Sequence, residues 1–457
     1  MPQFGKEEIA NLAAVIESGV FCDKRGGFMD RFRSEFARAL GAKHALTGGA
    51  AMLLMHAIPG AIGAGAGDEI IVDPVVQFHA IACLWNNIVP VWADVRAGDF
   101  LMDPDSAEKK ISGRTRAIWV THLWGFPAEV DRLRAIADRH GIYLLEDCAH
   151  SLMATFKGKP LGTWGHFGTF SFNMGKQLPT GEGGMAICDD DRLAFELDRR
   201  IIFGESPEVL SSNYRMTEFQ AAVGVAQLAK VPGYLEAFRK GKAILDAAIE
   251  GCAWLDPRTP AAGSVVAPYF WSCIFRGERR KIAYGVFKAA MRQAGDEYGF
   301  GFTQQPGYMY EMFARPNAYG NKGCPYNCGH YKGVVDWKPG MCPVAEDVIP
   351  RIVSTNNMAL DPAAYHRKAE CMKKAIALAE SGKVAPLEYD QTELRLLDLV
   401  KERGQLEPME AVAHFDQRGW GHFDEHGMLA TMEGLRERFP RKLSHAGPRK
   451  FSYHELK

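Results

Sequence analysis

Along residues 28–40, FMDRFRSEFARAL, apolar positions return at helical spacing and the run stops at Gly41, which predicts an amphipathic helix. The stretch ALTGGAAMLLMHAI that follows reads as a short strand, a turn of small residues and a buried helix. DEIIVDP predicts a strand bounded by turn residues, HAIACLWNN a helix and PVWADV another strand. RAIWVTHLWG and IYLLEDCAHS are apolar for several residues and then abruptly polar; between them DRLRAIADRHG has an amphipathic pattern with a Gly stop. Strands alternating with helices in this way predict a mostly parallel sheet covered on both faces. In such sheets polar residues at the carboxyl ends of strands line the ligand crevice. That rule singles out Thr121, His122, Asp147 and His150.

After Lys230 the pattern changes: GYLEAFRKGKAILDAAIEG is helical, PYFWSCIFRG a strand and KIAYGVFKAAMRQAG a helix, with a closing helix expected around 361–381. The expected division is a large domain over 1–230, a smaller α/β domain over 231–385 and an added segment over 386–457. In that segment LRLLDLVKERG, PMEAVAHFDQRG and EHGMLATMEGLRERF read as three short helices, and RKLSHAGPRKFSY as a hairpin. The outline matches a winged helix-turn-helix, but acids and bases are balanced there, whereas a DNA reader shows a basic face.

Composition narrows the partners. The 54 Lys and Arg nearly balance the 55 Asp and Glu, so net charge draws the chain to neither nucleic acid nor membrane. No run reaches the roughly 18 to 20 apolar residues that span a bilayer. The first residues carry no secretory pattern, and the ten cysteines form no small disulfide scaffold, which predicts a cytoplasmic protein.

The candidate chemistry centres on FGTFSFNMGKQLPTGEGGMAIC, residues 167–188. Lys176 lies between a strand end and a glycine-rich turn, where a cofactor can approach closely. A lysine amine in such a place can hold a carbonyl cofactor as a Schiff base and later move protons; taken alone it could equally be a surface lysine. Ser171 stands five positions earlier, with a hydroxyl suited to a phosphate. Asp147 follows an apolar strand and could keep a pyridine nitrogen protonated, cap a helix or bind a metal. Thr47-Gly48-Gly49-Ala50-Ala51 opens a helix whose backbone N–H groups could face a phosphate.

In order along the chain, GDEIIVDPVVQFHA, VTHLWGFPAEVDRLRAIADRHGIYLLEDCAHS, FSFNMGKQLPTGEGG and NYRMTEFQAAVGVAQL resemble the DegT/StrS family of sugar aminotransferases, over about residues 5 to 382. The resemblance implies the aspartate-aminotransferase type of pyridoxal-phosphate fold: a large, mostly parallel sheet domain, a smaller α/β domain and here a mainly helical addition. It implies Lys176 as the covalent cofactor holder and general base, and Asp147 as the partner of the pyridine nitrogen. Ser171 matches a phosphate contact, His150 a position near the ring hydroxyl, and Phe78 the aromatic that stacks on the ring. Asn213 and Arg215 match a segment that reaches the neighbouring subunit's site, which implies a homodimer with shared active sites. The implied reaction moves an amino group from glutamate or glutamine to a keto-sugar, often nucleotide-linked, or to a keto-cyclitol. Relatives that lack the lysine catalyse dehydration, so Lys176 favours transamination over a dehydratase or aromatising enzyme, or over a non-catalytic cofactor-binding regulator. One departure is Gly49, which takes the place of the family's hydroxyl residue and leaves the phosphate to backbone N–H groups and Ser171.

Residues 303–345 are rich in Pro, Gly, Tyr and Asn. Cys324, Cys328, His330 and Cys342 could ligate zinc, but their spacing is looser than in zinc ribbons. A substrate-side loop is the favoured reading, with Tyr308, Tyr310, Tyr326, Tyr331 and Trp337 suited to ring-faced ligands and Tyr308 taken as substrate-binding.

Overall fold

The computed structural model describes residues 2–22, 26–204, 206–301, 303, 305–314, 323–327, 329–385, 399–400, 405–406, 411, 443–447 and 450–453. The apolar runs read above form the helices Phe28–Leu40, Ala51–Ala61, Phe78–Trp85 and Val130–His140, and the strands His44–Gly48, Glu69–Val72, Val89–Trp92, Thr115–Thr121 and Tyr143–Asp147. Phe167–Ser171 and Gly184–Cys188 complete a seven-stranded sheet. By first residue, its spatial order is His44, Gly184, Phe167, Tyr143, Thr115, Glu69, Val89. The last five of these run parallel, and Gly184–Cys188 pairs antiparallel with both its neighbours. Ile70, Ile71, Ile118, Trp119, Leu144 and Leu145 are all buried, as strands covered on both faces require.

Helix Phe28–Leu40 turns Met29, Phe32, Phe36 and Leu40 inward, and Gly41 ends it in the left-handed conformation, φ 69°. The rings of Phe32 and Phe36 lie 5.2 and 5.1 Å from those of Phe172 and Phe170, just before the Lys176 turn. Truncating one such ring to alanine costs about 3–5 kcal/mol. The long helix Glu218–Ala247 crosses Phe32 at Gly224, where a Cβ would stand 2.6 Å from the ring, so only glycine allows that approach. Its start is set by a capping box: Thr217 Oγ1 accepts from Gln220 N–H, and Gln220 Oε1 accepts from Thr217 N–H. Position 230 lies inside this continuous helix.

Beyond it, Leu255–Pro257, Phe270–Phe275, Ile352–Asn356 and Gly299–Phe300, in that spatial order, make an antiparallel sheet. Helices Tyr284–Ala294 and Pro362–Glu380 occur where the periodicity places them. Chain contacts gather residues 1–282 and 290–380 into one compact unit, and 283–289 with 381–457 into another. In the second, Leu443–Gly447 and Lys450–Tyr453 form the hairpin read from the sequence, joined by Gln405–Leu406. The three tail helices fall almost entirely outside the described residues. Among the described residues no helix is long and apolar enough to cross a membrane.

Candidate active site

Three neighbouring parallel strands end in polar residues at one edge of the large sheet. Thr121 and Asp147 are register partners and the last residues of their strands. Asp73 directly follows Val72, whose partner is Trp119 on the same middle strand. Asp147 is buried, and Ala149 N–H donates to its Oδ1 at 2.9 Å. Burial pushes its carboxyl above the usual range; that bond and the charges of His79 and Lys176 pull the other way.

Lys176 reaches this edge through a tight turn after Phe167–Ser171. Asn173 Oδ1 accepts from Gly175 N–H at 3.0 Å, and Asn173 O from Lys176 N–H at 2.9 Å. This is the Asx-turn chemistry that NMGK supplies. Burial pushes the Lys176 amine down to about 8, against the opposing pull of Asp147 and Glu182. Its Nζ stands 5.0 Å from the centre of the Tyr269 ring, and the same ring stacks on His150 at 4.5 Å and 11°. His150 is pushed well below its ordinary value by burial and by the charges of Lys176 and Arg258. It is therefore neutral at physiological pH.

Tyr269 is brought here by backbone locks. Gln177 Nε2 donates to His150 O at 2.7 Å and Ala267 O at 3.2 Å, and Tyr269 N–H donates to Trp124 O at 3.3 Å. Ala267 O also presses on Gly125, φ 87°, where a Cβ would come within 1.7 Å of it. Any other residue at 125 would displace the segment that carries Tyr269. Neither Tyr269 nor Gln177 was singled out by the sequence, because each acts through a contact with a distant segment.

The phosphate turn is built differently from expectation. Gly49 N–H donates to Tyr214 O at 2.8 Å, so it is already used. Gly48 closes its strand opposite Gly184, and a Cβ on it would stand 2.7 Å from Leu54. Ala50 is the N-cap of helix Ala51–Ala61. The first-turn N–H groups of Ala51 and Met52 have no carbonyl four residues back, which leaves them to an anion. Asn213 Oδ1 accepts from Arg215 Nε at 2.9 Å, and Tyr214 between them ties this segment to the turn within the same chain. Ser171 sits half-buried at the end of its strand.

Phe78 is 48% exposed, unusual for a phenylalanine at the first position of a buried helix. The next residue, His79, is close enough to Asp147 to shift its titration, so Phe78 stands at the same sheet edge. Pyridoxal phosphate fits this set. The residues offer an amine of depressed pKa, a buried carboxylate facing it, an aromatic face open to contact, and a helix start with uncommitted N–H groups.

Two expected residues do not join the cluster. His122 is fully buried: its Nδ1 accepts from Ala128 N–H at 3.1 Å, and its Nε2 bonds Glu146 at 3.0 Å. Glu146 in turn accepts from the N–H groups of Gly162 and Gly165. His122, Glu146 and Cys148 lie together as a metal set could, but both ring nitrogens of His122 are already engaged in these bonds. Tyr308 is buried edge-on against Trp92 with its hydroxyl donating to Glu346, so it packs the core.

Two other rings of the aromatic loop follow Tyr308, whereas Tyr310 and Trp337 are half-buried. Tyr326 and Tyr331 are buried, Tyr326 lies 4.9 Å from Trp337, and Tyr331 donates to Glu69 at 2.8 Å. Glu69, Arg114, Tyr331 and Trp337 line a cavity of about 350 Å³. It sits where the strands begin, at the opposite end from Asp147. The rings are used to anchor the loop. Cys342 is buried, His330 is exposed, and Cys328 lies outside the described residues.

Comparison with known proteins points to aminotransferases. A GDP-perosamine synthase of Vibrio cholerae is 32% identical over 245 residues, 52% of this chain and 66% of the relative. The chain thus spans slightly under two thirds of that relative's length. An L-glutamine:2-deoxy-scyllo-inosose aminotransferase of Micromonospora echinospora is 32% identical over 365 residues, 75% of this chain and 84% of the relative. The solved aminotransferase of Psychrobacter cryohalolentis superposes with a TM-score of 0.72 at 24% identity, covering 82% of this chain and 98% of its own, which shows a shared fold. The model of the DegT/DnrJ/EryC1/StrS aminotransferase family matches residues 2–335, and the chain belongs to that family, whose cofactor is pyridoxal phosphate.

Proposed function

We propose that the protein is an aminotransferase that moves an amino group from glutamate or glutamine to a keto-sugar or keto-cyclitol, using Lys176 and Asp147. The observation that carries this is the pairing of a half-buried lysine, its amine pushed down to about 8, with a buried carboxylate at a strand end. An ordinary lysine near pKa 10.4 is about 0.4% neutral at pH 8, whereas burial leaves a far larger share of Lys176 neutral there. A neutral amine is the form that attacks a carbonyl and accepts a proton.

Pyridoxal phosphate, when bound, supplies the carbonyl that takes up the amino group and a ring that withdraws electrons from the reacting carbon. Asp147 holds a negative charge where a pyridine nitrogen would lie and favours its protonated form. Phe78 offers its face to the ring, and neutral His150 offers a hydrogen bond near the ring hydroxyl. The N–H groups of Ala51 and Met52, with the Ser171 hydroxyl, would hold the phosphate. Lys176 moves the proton between the reacting carbons, its charge moderated by Asp147 and Glu182.

The two named relatives support the acceptor class: one name concerns a GDP-sugar product, the other a cyclitol ketone with glutamine. A homodimer in which Asn213 and Arg215 face the partner's site, a cytoplasmic setting and no role for nucleic acid or membrane complete the proposal. So does the division into domains over 1–230, 231–385 and 386–457.

Borohydride reduction of the purified, cofactor-loaded protein followed by peptide mapping should place the adduct on Lys176. Incubation with glutamine or glutamate and a panel of keto-sugars and cyclitols should then yield an aminated product by mass spectrometry. Lys176→Ala should lower turnover at least about 10³-fold. An adduct on another lysine, or water loss without amine uptake, would overturn the assignment.

A further inference from the structure

Lys176 has one near neighbour that the reaction as described leaves without a role. Its Nζ stands over the face of the Tyr269 ring, 5.0 Å from the centre. Asp147 and Glu182 favour the charged amine, but among the described residues neither makes a salt bridge or hydrogen bond with it. A half-buried nitrogen without an acceptor is a poor place for an ammonium unless something else favours the charge. An aromatic face does so: its negative quadrupole attracts a cation within about 6 Å and gains little from a neutral amine.

The ring is held for this contact. Tyr269 N–H donates to Trp124 O, and Tyr269 O accepts from the N–H of fully buried Asn357 at 3.0 Å. The His150 ring lies nearly parallel to it. On the other side of the chain Phe270, 5.2 Å from Tyr269, stacks on Trp124 at 5.4 Å. The hydroxyl reaches the Lys176 turn itself, where a Cβ on Gly175 would come within 3.6 Å of it. A leucine could fill this space but would offer no face.

The titratable groups around the amine are Asp147, Glu182, His150 and Tyr269. Burial pushes the Tyr269 hydroxyl up, so the ring stays uncharged at working pH, and His150 is neutral. The ring therefore meets one cation and not two.

We propose that Tyr269 is a positioning residue whose ring face holds the free Lys176 amine in its charged form between proton transfers. A proton taken up on the Nζ lone pair is kept against the ring until it is returned. Burial alone drives the amine toward neutrality, and the face offsets part of that drive. The result is an amine that can both take and give a proton near working pH. The proposal rests on Lys176 being the amine that serves the cofactor.

The test reads acetylation of Lys176 against pH in full-length, cofactor-free protein, by mass spectrometry. Tyr269→Leu should lower the midpoint by about half a unit to one unit, since the ammonium loses its ring. Tyr269→Phe keeps the face and should leave the midpoint within about 0.2 units of wild type. Fluorine atoms added stepwise to that phenylalanine ring keep its shape but drain charge from its face. The midpoint should then fall with each fluorine, which guards against misfolding of the leucine variant. In the loaded enzyme the rate of amino-group uptake from the donor should fall about 3- to 10-fold in Tyr269→Leu and recover in Tyr269→Phe. A midpoint that ignores leucine or fluorine, or one that phenylalanine moves as far as leucine does, overturns the ring contact. An unchanged uptake rate in Tyr269→Leu overturns its part in proton transfer. A borohydride adduct on another lysine overturns the reading of Lys176 and the proposal with it, whatever the fluorine series shows.

Discussion

Two histidine–carboxylate pairs are buried at the same end of the large sheet, and they are built on opposite principles. In His122–Glu146 every polar atom of the two side chains has a partner: the imidazole lies between Ala128 N–H and Glu146, and the carboxylate takes two further backbone N–H groups. In Asp73–His79 the partners stand 3.6 Å apart and both ring nitrogens of His79 are unmatched. Both sit in the core at little or no exposure. A fully satisfied network rigidifies the loops that it ties, here the segment around Gly162 and Gly165. An unsatisfied one stays responsive to a neighbouring charge.

The comparison can be broken most sharply by removing Glu146. Glu146→Ala leaves His122 and two backbone N–H groups buried without acceptors, and urea denaturation should show a loss of about 3–5 kcal/mol. A loss below about 1 kcal/mol would mean that the network is not structural. A middle-sized effect is expected at Asp147. In cofactor-free protein, acetylation of Lys176 as a function of pH should show a midpoint near 8, since burial disfavours the ammonium. Asp147→Asn removes the opposite charge that raises this value, so the midpoint should move to lower pH, by about one unit. A midpoint that stays put or rises would deny the coupling. By linkage, an amine that loses its proton at lower pH when folded makes the protein gain stability as pH rises from about 8 toward the ordinary lysine value.

The smallest effect should come from the unsatisfied pair. The double change Asp73→Asn with His79→Leu removes buried groups that lack partners, so stability should change by no more than about 1 kcal/mol, in either direction. A destabilisation as large as that of Glu146→Ala, measured by the same denaturation, would make the two pairs equivalent.

Much of this was readable in the chain. The rule that polar residues at strand ends line the crevice singled out Asp147 and Thr121, which the structure sets side by side as the last residues of neighbouring strands. Applied to EIIVDP it would also have found Asp73, which was passed over as a turn residue. The same rule misplaced His122, because strand position does not reveal whether Ala128 N–H and Glu146 already occupy the ring. Tyr308 was misread for a related reason: aromatics suit a sugar face and a core equally, and burial against Trp92 decided for the core.

Local pattern alone determined the alternation of strands and helices, the glycine stops at 41 and 141 and the lysine in its Asx turn. Each depends on neighbours within a few residues, and short-range sterics and hydrogen bonding act at that distance. Tertiary structure decided which polar groups are satisfied and which are left to act. It gave Gly49 N–H to Tyr214, brought Tyr269 to Lys176 and His150, and set His79 beside Asp73 and Asp147. Those outcomes turn on desolvation and on partners far away in the chain, and a buried group's charge is fixed by all that surrounds it.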